Sequence, residues 1–121
     1  MQDFRGLDVW ERSHQVALSA YRATDALPEC ERFGLRSQLR RCSTSILTNI
    51  AGGCGRGSDA DSRRFLLQAM GSASEFEYLL LLSEDLQMLA PDQARPMMHE
   101  TQRVKTMLAS FIRRLGAHRR T

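Results

Sequence analysis

The chain has 121 residues, a net charge of +3, 42% apolar side chains, 7% aromatic ones and three cysteines. That length fits one domain, residues 1–121, with enough apolar material for a real core, and a mix led by Leu, Ala, Arg, Gln, Glu and Met favours helix over strand. Cys30, Cys42 and Cys54 form an odd set without CxxC or Cys/His spacing, which argues against a disulfide framework or a zinc centre and for a reducing, cytoplasmic setting.

Four helical segments follow in order, at about 8–26, 33–53, 59–89 and 92–115, with a basic tail over 113–121. In the first, Leu7, Trp10, His14, Ala17 and Tyr21 recur at helical spacing, and Leu27-Pro28 closes it because the residue before proline avoids the α region. The second carries a heptad seam, Leu35, Leu39, Cys42, Ile46, Asn49 and Gly53. It is expected to stop in Gly52-Gly53-Cys54-Gly55-Arg56-Gly57, where glycines supply left-handed conformations. Ser58 is a natural N-cap for the third helix, with Asp59 and Asp61 favouring its positive end. The third seam reads Phe65, Ala69, Ser72, Phe76, Leu79, Ser83 and Leu86, until Pro91-Asp92 breaks it. The fourth reads Met97, Thr101, Val104, Leu108, Phe111 and Leu115, tolerates Pro96 near its first turn, and ends at Gly116. Short connections force neighbours to run antiparallel, so the expected fold is all-α, an up-and-down antiparallel four-helix bundle. The longest apolar run, Leu79–Leu82, is too short for a membrane span, and Met1–Phe4 lack a leader's apolar stretch.

Charge is distributed unevenly. Residues 1–100 carry 11 basic and 14 acidic side chains, whereas 101–121 carry Arg103, Lys105, Arg113, Arg114, Arg119 and Arg120 and no acid. Polyanion affinity is therefore expected in the last helix and tail. The glycine corner resembles a phosphate loop only loosely, for it lacks the lysine and a preceding strand. A plain inter-helix turn is the preferred reading, with an anion held by Arg56 and Ser58 at the third helix's N-terminus as the sharper alternative. A row of small and polar groups, Gln38, Arg41, Ser45, Asn49, Ser72 and Glu75, borders the seam between helices two and three. If the chain turns near Gly57, Arg41 stands level with Ala73, Ser45 with Ala69, and Asn49 with Phe65, which puts Arg41 within reach of Glu75 and faces Ser45 toward Gln68. Such borders usually fix register or an assembly interface rather than catalyse. Arg32, Arg36 and Arg40 read as a solvated outer row. His14, His99 and His118 do not supply the paired Glu-x-x-His motifs of a di-iron bundle. No nucleophile, metal or cofactor site is expected, and no enzyme.

Several stretches match a known pattern: Phe4-x-x-Leu7-x-Val9-Trp10; Leu27-Pro28-x-x-Glu31-x-Phe33-Gly34-Leu35-x-x-Gln38-x-Arg40-Arg41; Ser45-Ile46-x-x-Asn49-Ile50-Ala51; Gly53-x-Gly55-Arg56; and Arg64-Phe65-Leu66-x-x-Ala69-x-Gly71-Ser72-x-x-Glu75. Together, over roughly residues 4–90, they resemble the four-helix-bundle proteins encoded in 23S rRNA intervening sequences, a family that includes the accessory variability determinant of diversity-generating retroelements. The resemblance implies a ring-shaped homopentamer, RNA or DNA as a ligand and, in the retroelement branch, a reverse transcriptase as partner. One position departs from the pattern. The family commonly has Glu where this chain has Gly52, so the second helix is expected to end earlier. The resulting expectation is a non-enzymatic, oligomeric bundle that binds nucleic acid nonspecifically. A homo-oligomeric scaffold for a protein partner, with no nucleic-acid role, is the alternative.

Overall fold

A computed structural model describes residues 3–27, 29 and 34–119, with the backbone alone for 117–119. The expectations for Pro28, Cys30, Arg32, Phe33 and Arg120, and for the side chains of His118 and Arg119, lie outside the described residues. The described chain forms α1 (Asp8–Thr24), α2 (Leu35–Cys54), α3 (Asp59–Asp85) and α4 (Pro91–Arg119), with a 3-10 turn at Phe4–Gly6 ahead of them. Each helix packs on its neighbour in sequence, and α1 closes the square against α4, while the backbones of the diagonal pairs do not approach. The cross-helix bonds run in opposite directions along each pair, as Ser45 to Ser72 and Cys42 to Glu75 do between α2 and α3. The molecule is an up-and-down antiparallel four-helix bundle, as the spacing of apolar residues implied.

The buried stripe of α1 is rotated from the expected one. Val9, Ser13, Val16, Ala17 and Ala20 face inward, whereas Tyr21 is exposed and Trp10 and His14 are half-buried. Small side chains let α1 sit close to the bundle, and the bulky Trp10 is left at the rim, packed on Phe4 at 5.2 Å and stacked on His14 at 4.9 Å. The other helices bury Leu39, Ile46 and Ile50; Leu66, Phe76 and Leu80; and Val104 and Leu108. Asn49, Phe65, Ser72 and Phe111 are half-buried on the flanks, and Leu86 is exposed. Phe76 is wholly buried, and truncating such a ring costs about 3–5 kcal/mol.

These side chains form two clusters stacked along the bundle axis. One holds Val16, Leu39, Phe76, Leu80 and Met97; the other holds Val9, Ile46, Leu66, Val104 and Leu108. Between them, along the sequences of α1, α2 and α4, lie the buried hydroxyls of Ser13, Ser43 and Thr101. Each donates to a carbonyl of its own helix, at Val9, Arg40 and Met97. The hydroxyls are thereby satisfied without a bond across the core.

Helix ends differ from expectation for identifiable reasons. The glycine corner contains no positive φ; the described non-glycine exception is Gln87, at φ 61. Gln87 ends α3 at Asp85 rather than near 89, because the chain reverses so that Met88 and Leu89 donate back to the Ser83 carbonyl. Leu89 turns into the core. Gly116 does not stop α4, which continues to Arg119. Its missing side chain instead makes room for Arg63, whose Nε would lie 3.3 Å from a Cβ there. Likewise α2 runs through Gly52 to Cys54. A Cβ on Gly52 would meet Phe65 Cδ1 at 2.9 Å, and one on Gly53 would meet the Ser62 carbonyl at 3.3 Å. These two glycines serve close helix approach rather than left-handed backbone.

Arg36 and Arg40 are structural rather than solvated. Arg36 donates to the carbonyls of Thr24 and Leu27 at 3.1 and 2.9 Å. Arg40 donates to Thr24 Oγ1, the Tyr21 carbonyl and Asp25 at 2.8, 3.1 and 2.7 Å, and its guanidinium lies over the Tyr21 ring. Two cations on α2 thus satisfy the free carbonyls at the end of α1, where the helix dipole is negative.

A candidate nucleic-acid interface at one pole

Antiparallel packing brings the start of α1, the α2–α3 corner and the end of α4 to one pole. Arg56, Arg63, Arg64, Arg113 and Arg114 meet there. Ser58 caps α3 by accepting from Asp61 N at 3.2 Å, and Ser62 ties the corner by donating to the Gly53 carbonyl at 2.8 Å. This clasp fixes where the arginines project. Arg56 Nε donates to the Gly52 carbonyl at 3.1 Å. Its guanidinium lies 4.5 Å from the Phe65 centroid, and that of Arg64 lies 4.9 Å from the same ring. Arg64 also reaches Asp61 at 3.7 Å. Arg63 runs under Gly116, and its buried Nε has no hydrogen-bond partner. Arg113 and Arg114 are exposed, the latter over the Phe111 ring at 5.0 Å. Asp59 and Asp61 share the corner, and Asp3 at the same pole is taken by Arg5 at 3.0 Å, which holds its carboxyl below the usual range.

The sequence-expected basic set is divided by this geometry. Arg103, Arg113 and Arg114 face solvent. Lys105 instead pairs with Glu77 at 3.0 Å, beside Gln102 at 2.9 Å to the same carboxylate. Burial raises the Glu77 pKa, but the Lys105 and Gln102 hydrogen bonds outweigh it, so the carboxyl stays below its ordinary value. Lys105 is an internal tie between α3 and α4. Sequence reasoning missed Arg63 and Arg64 because Asp59 and Asp61 neutralise them on paper; their proximity to the end of α4 is visible only once the chain folds back.

The proposed anion site does not assemble as imagined. Ser58 Oγ is occupied by Asp61 N, and Arg56 folds back onto Gly52 and Phe65 rather than over the start of α3. The seam network assembles in part. Ser45 and Ser72 share a 2.8 Å hydrogen bond, and Asn49 donates to the Ser45 carbonyl and hydroxyl at 2.9 and 3.2 Å. Glu75 accepts from Cys42 Sγ at 3.2 Å, not from Arg41. Gln38 and Arg41 are exposed and outside the network. The register is displaced by nearly one turn from the expected one, because α2 extends through the glycines before the chain reverses. Burial, then the Glu75 hydrogen bond, push the Cys42 thiol up to about 11, so it stays protonated at neutral pH.

Two other features carry no chemistry. Glu11 stands three residues before His14, half of a di-iron motif, yet it is exposed and bonded to Gln15 while His14 stacks on Trp10. Among the described residues, no group of three His, Cys, Asp or Glu side chains could hold a metal ion, and no helix is long and apolar enough to cross a membrane. A groove of about 250 Å³ between α1 and α4, beside Val16, Pro96 and Met97, has the Arg12–Glu100 ion pair at its edge and few other polar groups.

The bundle is similar to a solved structure of a protein of unknown function from the S23 ribosomal protein family of Bacteroides thetaiotaomicron. The TM-score is 0.78 at 26% identity, over 86% of this chain and 97% of that one. No curated protein matches the sequence. The family model described as 23S rRNA-intervening sequence protein matches residues 5–110, the bundle from the start of α1 into α4. On that match the chain belongs to the 23S rRNA-intervening sequence protein family.

Proposed function

We propose that this chain is a non-enzymatic, self-associating bundle that binds RNA or DNA through its arginine-rich pole, by charge rather than by reading bases. The observation that carries the reading is the convergence of Arg56, Arg63 and Arg64 on the end of α4 with Arg113 and Arg114, through the Arg63–Gly116 contact. Guanidiniums pre-set over Phe65 and Phe111 are held ready for phosphate oxygens without freezing their side chains on binding. Neither ring is free as a stacking platform, and no helix presents a base-reading edge, so affinity should be salt-sensitive and sequence-tolerant. A pentameric ring of the kind the resemblance implies would set several such poles side by side and multiply the effect.

Filter binding against one RNA and one DNA duplex, at about 50 and 200 mM salt, tests this. Binding should appear at low salt and weaken steeply at high salt. Replacing Arg113 and Arg114 by Gln should lower the slope of log affinity against log salt by roughly two. Arg22→Gln, on α1 at the opposite pole, should leave it unchanged. Absence of binding to either polymer at low salt ends the proposal.

A further inference from the structure

The outer face of α3 is unlike the solvent face of an ordinary bundle helix. Leu67, Gly71, Ser74, Tyr78 and Leu81 follow one another at alternating steps of four and three, and all are exposed. Leu67, Tyr78 and Leu81 are 46%, 58% and 46% exposed. Among the described residues the remaining exposed large apolar side chains are Tyr21, whose ring is covered by Arg40, and Leu86 beside the α3–α4 turn. The uncommitted apolar surface is therefore concentrated in one heptad-spaced stripe on α3, directly opposite its buried face. A surface helix has no reason to carry such a second seam unless another helix covers it.

The stripe also specifies what covers it. Its middle is small: a Cβ on Gly71 would meet nothing within 4 Å, and Ser74 is next along the seam. Large side chains stand on both sides, so the face is a saddle into which a second helix can settle closely. Its ends carry opposite charge. One step before Leu67 stands Arg64, and one step after Leu81 stands Asp85, both exposed. Arg64 is held only by a long 3.7 Å contact to Asp61 and is free to reach outward. A helix with a positive start, a small centre and a negative end is complementary to itself reversed.

We infer that the outer stripe of α3 is a twofold contact with a second copy of this chain, the two α3 helices crossing antiparallel near Ser74, with Arg64 of each copy facing Asp85 of the other. Leu67 of one copy then lies toward Leu81 of the other, and Tyr78 toward the opening at Gly71. The interface is isologous, so every contact occurs twice. It is separate from the arginine pole and does not depend on nucleic-acid binding. It is compatible with a ring as well, since it would join two rings rather than close one.

Light-scattering mass across a concentration series tests it, with circular dichroism as the folding control. The wild-type chain should form an even-numbered assembly, a dimer or a doubled ring. Arg64→Glu and Asp85→Arg should each weaken self-association at least tenfold, and the double reversal should restore it, because the swapped pair meets again across the twofold axis. Gly71→Arg, at a position with open space in the isolated chain, should halve the mass while leaving helicity intact. A wild-type mass that is monomeric or odd-numbered at all concentrations overturns the inference. So does failure of the double reversal to rescue.

Discussion

Restoring the family's usual residue, Gly52→Glu, should destabilise this bundle, although the position is helical and Glu is the better helix former. An ideal Cβ at 52 would lie 2.9 Å from Phe65 Cδ1 and 3.0 Å from Cε1, well inside the ~3.5–4.0 Å optimum for carbon contacts. Overpacking of this kind costs about 1–3 kcal/mol. If the ring swings away instead, the Arg56 and Arg64 guanidiniums lose their shared face, at about 0.5–1 kcal/mol each for exposed cation–π contacts. Helix propensity returns about 0.5 kcal/mol, and a carboxylate four residues before Arg56 adds a few tenths, about 0.3 kcal/mol. The strain and the lost contacts are partly alternative responses, so the net loss is about 1–3 kcal/mol. For a chain of this length that lowers the thermal midpoint by roughly 4–12 °C. Denaturation followed by circular dichroism measures it, and the decisive comparison is the double-mutant cycle with Phe65→Ala. Removing the ring should make Gly52→Glu nearly harmless, giving a coupling of about 1 kcal/mol or more. Additive effects, or a Gly52→Glu protein as stable as wild type, would refute the packing explanation.

Other consequences are equally direct. Gln87→Gly should stabilise by about 1 kcal/mol in urea denaturation, since a left-handed φ of 61 strains any side chain; a loss would mean the Gln side chain matters there. Arg40→Ala should destabilise by about 1.5–3 kcal/mol, because it orphans the Thr24 hydroxyl and the Tyr21 carbonyl together, whereas the exposed Arg22→Ala should change the urea midpoint little. Cys42 has a folded pKa raised from 9.0 to about 11, so the native state holds a proton that the unfolded chain releases. Its stabilisation is complete below about pH 9 and is lost as pH rises through about 11. Urea midpoints of wild type should therefore fall more steeply over that window than those of Cys42→Ala, and parallel profiles would contradict the assignment. Glu77 runs the other way: its lowered pKa gives stability present above the carboxylate range and lost as pH falls through it, a dependence that Glu77→Gln should flatten.

Four helices and their antiparallel order were legible because the apolar periodicity is strong in α2, α3 and α4, where most seam residues named from spacing are buried. In α1 the same reasoning chose the wrong stripe. Trp10, His14 and Tyr21 outweigh Ala17, Ala20 and Ser13 by size, yet a helix that nests closely buries its small side chains and leaves the bulky ones at the rim. Glycine misled in a similar way. Gly52, Gly53 and Gly116 look like helix stops, but the backbone accepts them in helix, and what they supply is room for Phe65, the Ser62 carbonyl and Arg63. The reversal that needed left-handed backbone fell on Gln87, which no composition rule singles out. Register was misplaced by nearly a turn because it depends on where α2 ends, and so Cys42 rather than Arg41 meets Glu75. The arginine pole was half visible, since charge counted along the chain finds Arg113 and Arg114 but not Arg63 and Arg64.

The hydroxyl layer of Ser13, Ser43 and Thr101 bears on how the molecule responds when one end is loaded. These groups spend their hydrogen bonds within their own helices, so nothing rigid bridges the upper and lower apolar cores at that level. Each core can loosen on its own, which gives amide exchange two independent opening modes instead of one. Polyanion bound at the arginine pole should therefore slow exchange around Leu66, Val104 and Leu108 while leaving the amides around Leu39, Phe76 and Leu80 at their resting rates.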